Sequence, residues 1–211
     1  ALRRPRRLAP DAAAAIVTTP EIAKSFRDVD VIVFPVNRGY GAAIKAGWEH
    51  GGGDLLGFLD ADGTCDPMSF VPMCRAILGD GQDVVLGCRM GPGSKMPRIR
   101  RIGNTIFALM LGLLSRQSVR DTASGMRVVR RDVLPRLLPL PDGLHFTPAM
   151  SAKALMDGEV RIAEIDMSYE ERVGRSKLSV IKDGIRFLRV ILSAAAYVRV
   201  SRLAVPLMAA L

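Results

Sequence analysis

Apolar and polar positions run along the chain in short blocks whose periods predict alternating strands and helices. Residues 29–36 are apolar and β-branched, closed by Pro35 and the turn residues Asn37 and Gly39, which reads as a strand. Residues 41–50 follow as a helix carrying Ala42, Ala43, Ala46 and Gly47 as small packing positions, stopped by Gly51-Gly52-Gly53. Residues 55–59 form a fully apolar run, as in a strand buried on both faces. Residues 67–78 read as a helix with Pro67 in its first turn, and 83–86 as a further strand. The order from 29 to 88 is therefore β-α-β-α-β, the pattern of a parallel sheet with crossover helices. Beyond it, 89–101 is a basic Gly/Pro-broken loop and 102–114 an apolar helix. Residues 121–129 predict a turn plus strand, 146–156 a helix, 160–167 a strand, 169–177 a charged loop and 179–199 a helix. A short helix over 20–26 precedes them all.

Composition narrows the class. The chain has 211 residues, 49% hydrophobic, enough for a domain with a real core. Its net charge of +9 comes from 6 Lys and 24 Arg against 21 acids. That bias favours phosphorylated or otherwise anionic partners, because the planar guanidinium grips two oxygens at once. With only 5% aromatic residues, base stacking has few platforms and a nucleic-acid binder is disfavoured. Cys65, Cys74 and Cys88 are odd in number and lack C-x-x-C spacing, so neither a metal knot nor a disulfide framework is expected and a reducing compartment fits better. No uninterrupted apolar segment reaches the ~20 residues of a membrane span. Arg186, Arg189, Arg199 and Arg202 interrupt the apolar C-terminal stretch, a pattern suited either to a helix lying in an anionic membrane interface or to a C-terminal helix packed on the domain.

Two features carry candidate chemistry. Asp60-Ala61-Asp62-Gly63 ends the apolar 55–59 strand, where ligands bind in a parallel sheet. Gly63 lets the chain leave strand geometry, so that both carboxylates can converge on one hard cation, Mg²⁺ or Mn²⁺. The bland alternative is two acids solvating a turn. The second feature, Asn37-Arg38-Gly39-Tyr40-Gly41-Ala42-Ala43-Ile44-Lys45, opens a helix, where glycines allow backbone N–H groups to approach a phosphate. A dinucleotide-binding oxidoreductase is disfavoured because Ile44 stands at the last position of G-x-G-x-x-G.

Together with Phe58-Leu59-Asp60-Ala61-Asp62-Gly63 and Asp66-Pro67, the Asn37-x-Gly39-x-Gly41-Ala42-Ala43 segment resembles the family 2 glycosyltransferases. Val84-Val85-Leu86-Gly87-Cys88-Arg89, Asp121-Thr122-Ala123-Ser124-Gly125-Met126-Arg127 and Tyr169-Glu170-Glu171-Arg172-Val173-Gly174-Arg175-Ser176-Lys177-Leu178 follow in the same order as that family's segments. The nearer resemblance is to the dolichol- and polyprenyl-phosphate sugar transferases. It implies an α/β, GT-A (Rossmann-like), mostly parallel sheet with flanking helices, and inverting transfer from a nucleotide-sugar (UDP- or GDP-sugar) to a lipid-linked phosphate at the cytoplasmic membrane face. It places Asp60, Asn37, Gly39, Gly41, Lys45, Arg172, Ser176 and Lys177 at the nucleotide-sugar, and Asp62 with Asp60 at the cation. Asp121 and Asp62 would be catalytic, Asp121 as base or positioner, with Arg89, Ser124 and Arg127 at the acceptor phosphate. His50 and His145 read as structural.

The start of the chain departs from that pattern. Thr18 and Thr19 stand where the family carries acids, and the first strand has no counterpart. The expected organisation is a GT-A-like domain over 1–178, N-terminally incomplete, and an amphipathic interfacial helix over 179–211 leading into a membrane segment. An inactive remnant serving only as a membrane- or partner-binding module is the competing reading.

Overall fold

A computed structural model of the chain describes residues 19–27, 29–171, 184, 185, 188 and 189. It separates into two units, Ala1–Asn37 and Arg38–Leu211. The expected boundary at 178/179, the 172–178 loop and nearly all of the C-terminal helix lie outside the described residues.

In the first unit a short helix, α1 (Thr19–Lys24), carries Glu21 in its first turn and Lys24 in its last, matching the helix dipole. The strand expected over 29–36 is not there: residues 29–37 are irregular, and Val29, Ile32, Val33 and Val36 are exposed. β-branched residues favour a pleated, half-buried surface, but a strand exists only where it pairs, and the first unit has no described strand to pair with.

The second unit follows the predicted pattern closely. Helix α2 (Tyr40–His50) leads to β1 (Leu55–Leu59); a 3₁₀ turn (Pro67–Ser69) opens α3 (Phe70–Leu78); and β2 (Val84–Cys88) follows. Helix α4 spans Arg98–Leu114, so Arg98, Arg100 and Arg101 lie inside it rather than in the preceding loop. β3 (Met126–Arg130), a second 3₁₀ turn (Arg131–Val133), α5 (Leu134–Leu137), α6 (Phe146–Met156) and β4 (Ile162–Asp166) complete the order.

The sheet is mixed, in the order β1-β3-β2-β4. β1 and β2 run in the same direction, as the β-α-β pattern predicts, but β3 lies between them and antiparallel to both, while β2 and β4 are parallel neighbours. Side-chain alternation splits the core across the two faces. Val84, Leu86 and Val129 pack with Trp48, Leu111, Phe146 and Met150, whereas Val85, Val128 and Met126 pack with Met73, Ile77 and Met167.

The register decides where chemistry can occur. Leu59 faces Met126, Leu86 faces Arg127, and Cys88 faces Asp166. The C-terminal ends of β1, β2 and β4 thus meet the N-terminal end of β3 along one rim. Asp60, Arg89 and the 121–125 segment leave the sheet there.

Candidate active site

Asp60 is the first residue beyond β1, and its N–H donates to the Gly125 carbonyl (3.1 Å). Its Oδ1 accepts from the Tyr40 hydroxyl (2.8 Å). On the other side the carboxylate fills the space beside Gly125, where an added Cβ would overlap Asp60 Oδ2. Tyr40 is in turn held edge-on by the rings of Phe58 and Phe146, each 6.4 Å away between centroids. Burial and the adjacent Asp60 charge both push the Tyr40 hydroxyl pKa up, which keeps it a donor at any physiological pH.

Asp62 follows one turn residue later, half-buried, with Gly63 at φ +74°. Its Oδ1 accepts from the Thr64 N–H (3.2 Å) and hydroxyl (2.7 Å). This local turn fixes the backbone that returns from the carboxylates. Among the described residues there is no group of three His, Cys, Asp or Glu that could enclose a metal. Two hard carboxylates at an open strand end nevertheless fit Mg²⁺ or Mn²⁺, which keep several waters and complete their shell with substrate phosphate oxygens.

At the end of β2, the Arg89 N–H, Nε and Nη2 donate to Asp121 at 3.0, 2.7 and 2.8 Å. Asp121 is wholly buried, with its own N–H donating to Glu164 Oε1 (2.7 Å). Burial alone would raise its pKa, but the Arg89 charge and three donors outweigh that and hold it below the ordinary carboxylate value. Asp121 therefore grips Arg89 with both carboxylate oxygens and is closed to solvent. Arg89 keeps 14% of its side chain exposed and lies over the Tyr169 ring, 5.5 Å from its centroid.

Arg127 is fully buried. Its Nε and Nη2 donate to the Ser124 and Thr122 carbonyls (3.1 and 2.8 Å), while Nη1 is buried without a hydrogen-bond partner among the described residues. Burial lowers its pKa to about 10, against the pull of Tyr40 and Asp121. The Ser124 hydroxyl donates to the Gly87 carbonyl (2.6 Å), locking the start of β3 to β2. Ser124 and Arg127 thus spend their bonds on backbone carbonyls beneath the rim, whereas Arg89 keeps part of its side chain exposed there.

The glycine-rich turn is not a phosphate cradle in this structure. The N–H groups of Gly41 and Ala42 both donate to the Asp142 carbonyl (2.7 and 3.3 Å). A Cβ on Gly39 (φ +104°) would overlap that carbonyl, and one on Gly41 would overlap the Pro141 carbonyl and lie 2.7 Å from Phe146 Cδ2. These glycines exist so that the 141–143 loop can approach. Lys45 belongs to the same seam: its ammonium donates to the Leu140 carbonyl (2.9 Å) and pairs with Asp142 (2.6 Å). Asn37 ends the first unit and is exposed. Arg172, Ser176 and Lys177 lie outside the described residues.

Sequence reasoning missed Tyr40, Gly125, Glu164 and Tyr169 as parts of the site. Only topology brings them to the rim, since Tyr40 and Asp60 are 20 positions apart and Asp121 and Glu164 43. His145 occupies the N-cap position of α6 without a side-chain cap bond, and His50 ends α2. All three cysteines are free.

The family model for glycosyl transferase family 2 matches residues 18–138. Dolichyl-phosphate hexose transferase of Haloferax volcanii is 34% identical over 172 residues, covering 79% of this chain and 71% of that protein. Undecaprenyl-phosphate 4-deoxy-4-formamido-L-arabinose transferase of Proteus mirabilis is 29% identical over 165 residues, covering 77% of this chain and 48% of the relative. Among solved structures, glucosyl-3-phosphoglycerate synthase from Mycobacterium tuberculosis, in complex with Mn²⁺, uridine diphosphate and phosphoglyceric acid, superposes with a TM-score of 0.57 at 22% identity. That match covers 77% of this chain and 56% of the neighbour, and shows that the two share the GT-A fold. The chain spans between about half and three-quarters of the length of these three proteins. The carboxylates leaving β1, the motif order and the extent of these matches agree: the chain belongs to glycosyl transferase family 2.

Proposed function

We propose that the protein transfers a sugar, with inversion, from a nucleoside-diphosphate sugar to a polyprenyl or dolichyl phosphate at the cytoplasmic face of a membrane. The observation that carries this reading is the rim on which two carboxylates, Asp60 and Asp62, stand beside a partly exposed arginine held in a bidentate grip by a buried Asp121. The first suits a cation–diphosphate; the second suits a phosphate. The Haloferax volcanii and Proteus mirabilis relatives, both named as lipid-phosphate sugar transferases, support the acceptor class. The Mn²⁺ and uridine diphosphate of the structural neighbour support the donor class.

The chemistry asks little of a general base. A phosphate monoester is largely ionised near neutral pH, its second pKa being ~6, so the nucleophile needs no proton removed. That agrees with a buried, arginine-paired Asp121. The remaining work is to hold two anions in line and to neutralise charge on the departing diphosphate. Asp62 and Asp60 would hold the Mg²⁺ or Mn²⁺, which supplies that neutralisation when bound. Tyr40 and Gly125 fix the Asp60 carboxylate. Arg89 receives the acceptor phosphate. The family resemblance implies a diphosphate-binding role for Arg172, Ser176 and Lys177, which lie outside the described residues.

The test is an assay of the full chain with UDP- and GDP-hexoses, Mn²⁺ and a short polyprenyl phosphate, with the anomeric product assigned by NMR. Formation of an inverted sugar-phospholipid, lost in Arg89→Ala, is expected. No product from either nucleotide series, or a retained anomer, overturns the reading.

A further inference from the structure

Helix α4 has its apolar side facing the wrong way for a soluble protein. Its inner face buries Asn104, Ala108 and Leu111. Its outer face carries Ile99, Ile102, Ile106, Leu109 and Leu113, spaced three and four apart and 52–86% exposed. These five aliphatic side chains make a stripe about 20 Å long on one side of the helix. Isolated exposed aliphatics are ordinary, but a continuous stripe marks a surface that something covers.

Charge indicates what covers it. Between Asp83 and Asp121 the sequence has no acid at all, while it carries Arg89, Lys95, Arg98, Arg100, Arg101, Arg116 and Arg120. Arg98, Arg100 and Arg101 form the first turn of α4, beside the start of the stripe. An apolar face with a basic margin fits the headgroup–acyl boundary of an anionic bilayer. A second copy of the chain would bring its own basic margin against this one. No helix among the described residues is long and apolar enough to cross a bilayer, so α4 would lie along the surface.

The inner face of the same helix is tied to the site. Asn104 Nδ2 donates to the Arg120 carbonyl (2.8 Å), and Asn104 Oδ1 accepts from the Thr122 N–H (3.1 Å) and hydroxyl (2.9 Å). These bonds clamp both sides of Asp121, the residue that holds Arg89. Arg101 donates to the Met90 and Gly91 carbonyls just beyond Arg89. We infer that α4 is the membrane-docking element: its outer stripe seats on an anionic bilayer while its inner face holds the Arg89–Asp121 pair at the height of a lipid-borne phosphate. This inference rests on the proposed lipid-phosphate acceptor and assigns the surface that brings that acceptor to the site.

The experiment is co-flotation of the full chain with phosphatidylcholine vesicles containing about one-third phosphatidylglycerol, at low salt. Wild type is compared with Ile102→Glu/Leu109→Glu, whose sites are exposed and whose folding is checked by near-UV circular dichroism. In a parallel series, Leu109→Trp reports insertion through its emission. The wild type should float, the double variant should lose about tenfold in bound fraction, and the tryptophan should shift to the blue with vesicles. Equal flotation of wild type and variant, or no tryptophan shift, overturns the inference and moves membrane binding elsewhere in the chain. A dimer that the double variant breaks, without flotation by the wild type, also overturns it, in favour of a second copy. Mn²⁺-dependent nucleoside diphosphate binding, read on the same samples, separates the two levels. Its persistence without flotation removes only the docking role, and its absence removes the donor reading beneath it.

Discussion

At the scale of single residues, the site depends on side chains that hold the functional ones still. Tyr40 touches the candidate cation ligand Asp60 only through one hydroxyl, 2.8 Å away, so Tyr40→Phe deletes that bond and leaves the aromatic packing intact. Such a loss costs about 1 kcal/mol of stability. The expected result is a near-wild-type denaturation midpoint together with a several-fold rise in the Mn²⁺ concentration needed for half-maximal nucleotide binding; an unchanged Mn²⁺ requirement would show that Asp60 needs no such support. Asp121 gives a pH signature. Its folded pKa is lowered, so its stabilising contribution is complete above the ordinary carboxylate pKa of about 4 and is lost as pH falls through the folded value. Asp121→Asn leaves Arg89 without its counter-charge and should cost about 3–5 kcal/mol near neutral pH. Urea titrations of both proteins should show that gap narrowing below about pH 4. A gap constant down to pH 3 would mean that the pair is not the source. The position of Asp60 and Asp62 just beyond a strand was legible because Asp60-Ala61-Asp62-Gly63 directly follows an apolar run. The partners of Asp60 and Asp121 were not, because nothing local connects them.

At the scale of elements, local pattern and pairing separate clearly. Strands β1, β2 and β4 lie where apolar runs and alternation place them, since both faces of this sheet are covered by core. Residues 29–36 have an equally strong apolar pattern and form no strand, because pairing is a non-local property. The insertion of β3 between β1 and β2 was invisible for the same reason: β-α-β order fixes strand direction but not adjacency. Helix α2 shows the limit of composition. Its small residues look alike in sequence, yet Gly41 is buried against the 141–143 loop and the Phe146 ring, whereas Gly47 is exposed with nothing near its absent Cβ. Gly41→Ala should therefore destabilise the fold by about 1–3 kcal/mol. Gly47→Ala should stabilise it by about 0.5–1 kcal/mol, by lowering the entropy of the unfolded chain. Guanidinium melts of the two variants check this; equal shifts of the same sign would contradict the seam drawn between α2 and residues 141–143.

At the scale of the whole molecule, the net charge of +9 has a distribution that composition alone did not reveal. The acid-free stretch between Asp83 and Asp121 contains the β2 end, Arg89 and all of α4. Positive charge is therefore gathered where a phosphate acceptor and an anionic bilayer would both be met. Asp60 and Asp62 come from β1 on the far side of β3, so the proposed donor and acceptor positions occupy different parts of one rim. Family membership was legible because the motifs keep their order along the chain; their placement along the rim became legible only with the sheet order.

In the proposed donor site, Asp60 and Asp62 bind a nucleoside diphosphate through a divalent cation. Calorimetric titration of UDP and GDP into the full chain, with Mn²⁺ and with EDTA, tests it most directly, alongside Asp62→Asn. The asparagine keeps an oxygen able to accept from Thr64, so the turn is preserved while the charge is removed. The expected result is binding of one of the two nucleotides with Mn²⁺, none with EDTA, and at least a tenfold weakening in Asp62→Asn, the equivalent of about 1.4 kcal/mol. Nucleotide binding indifferent to the metal, or unchanged by Asp62→Asn, would contradict it.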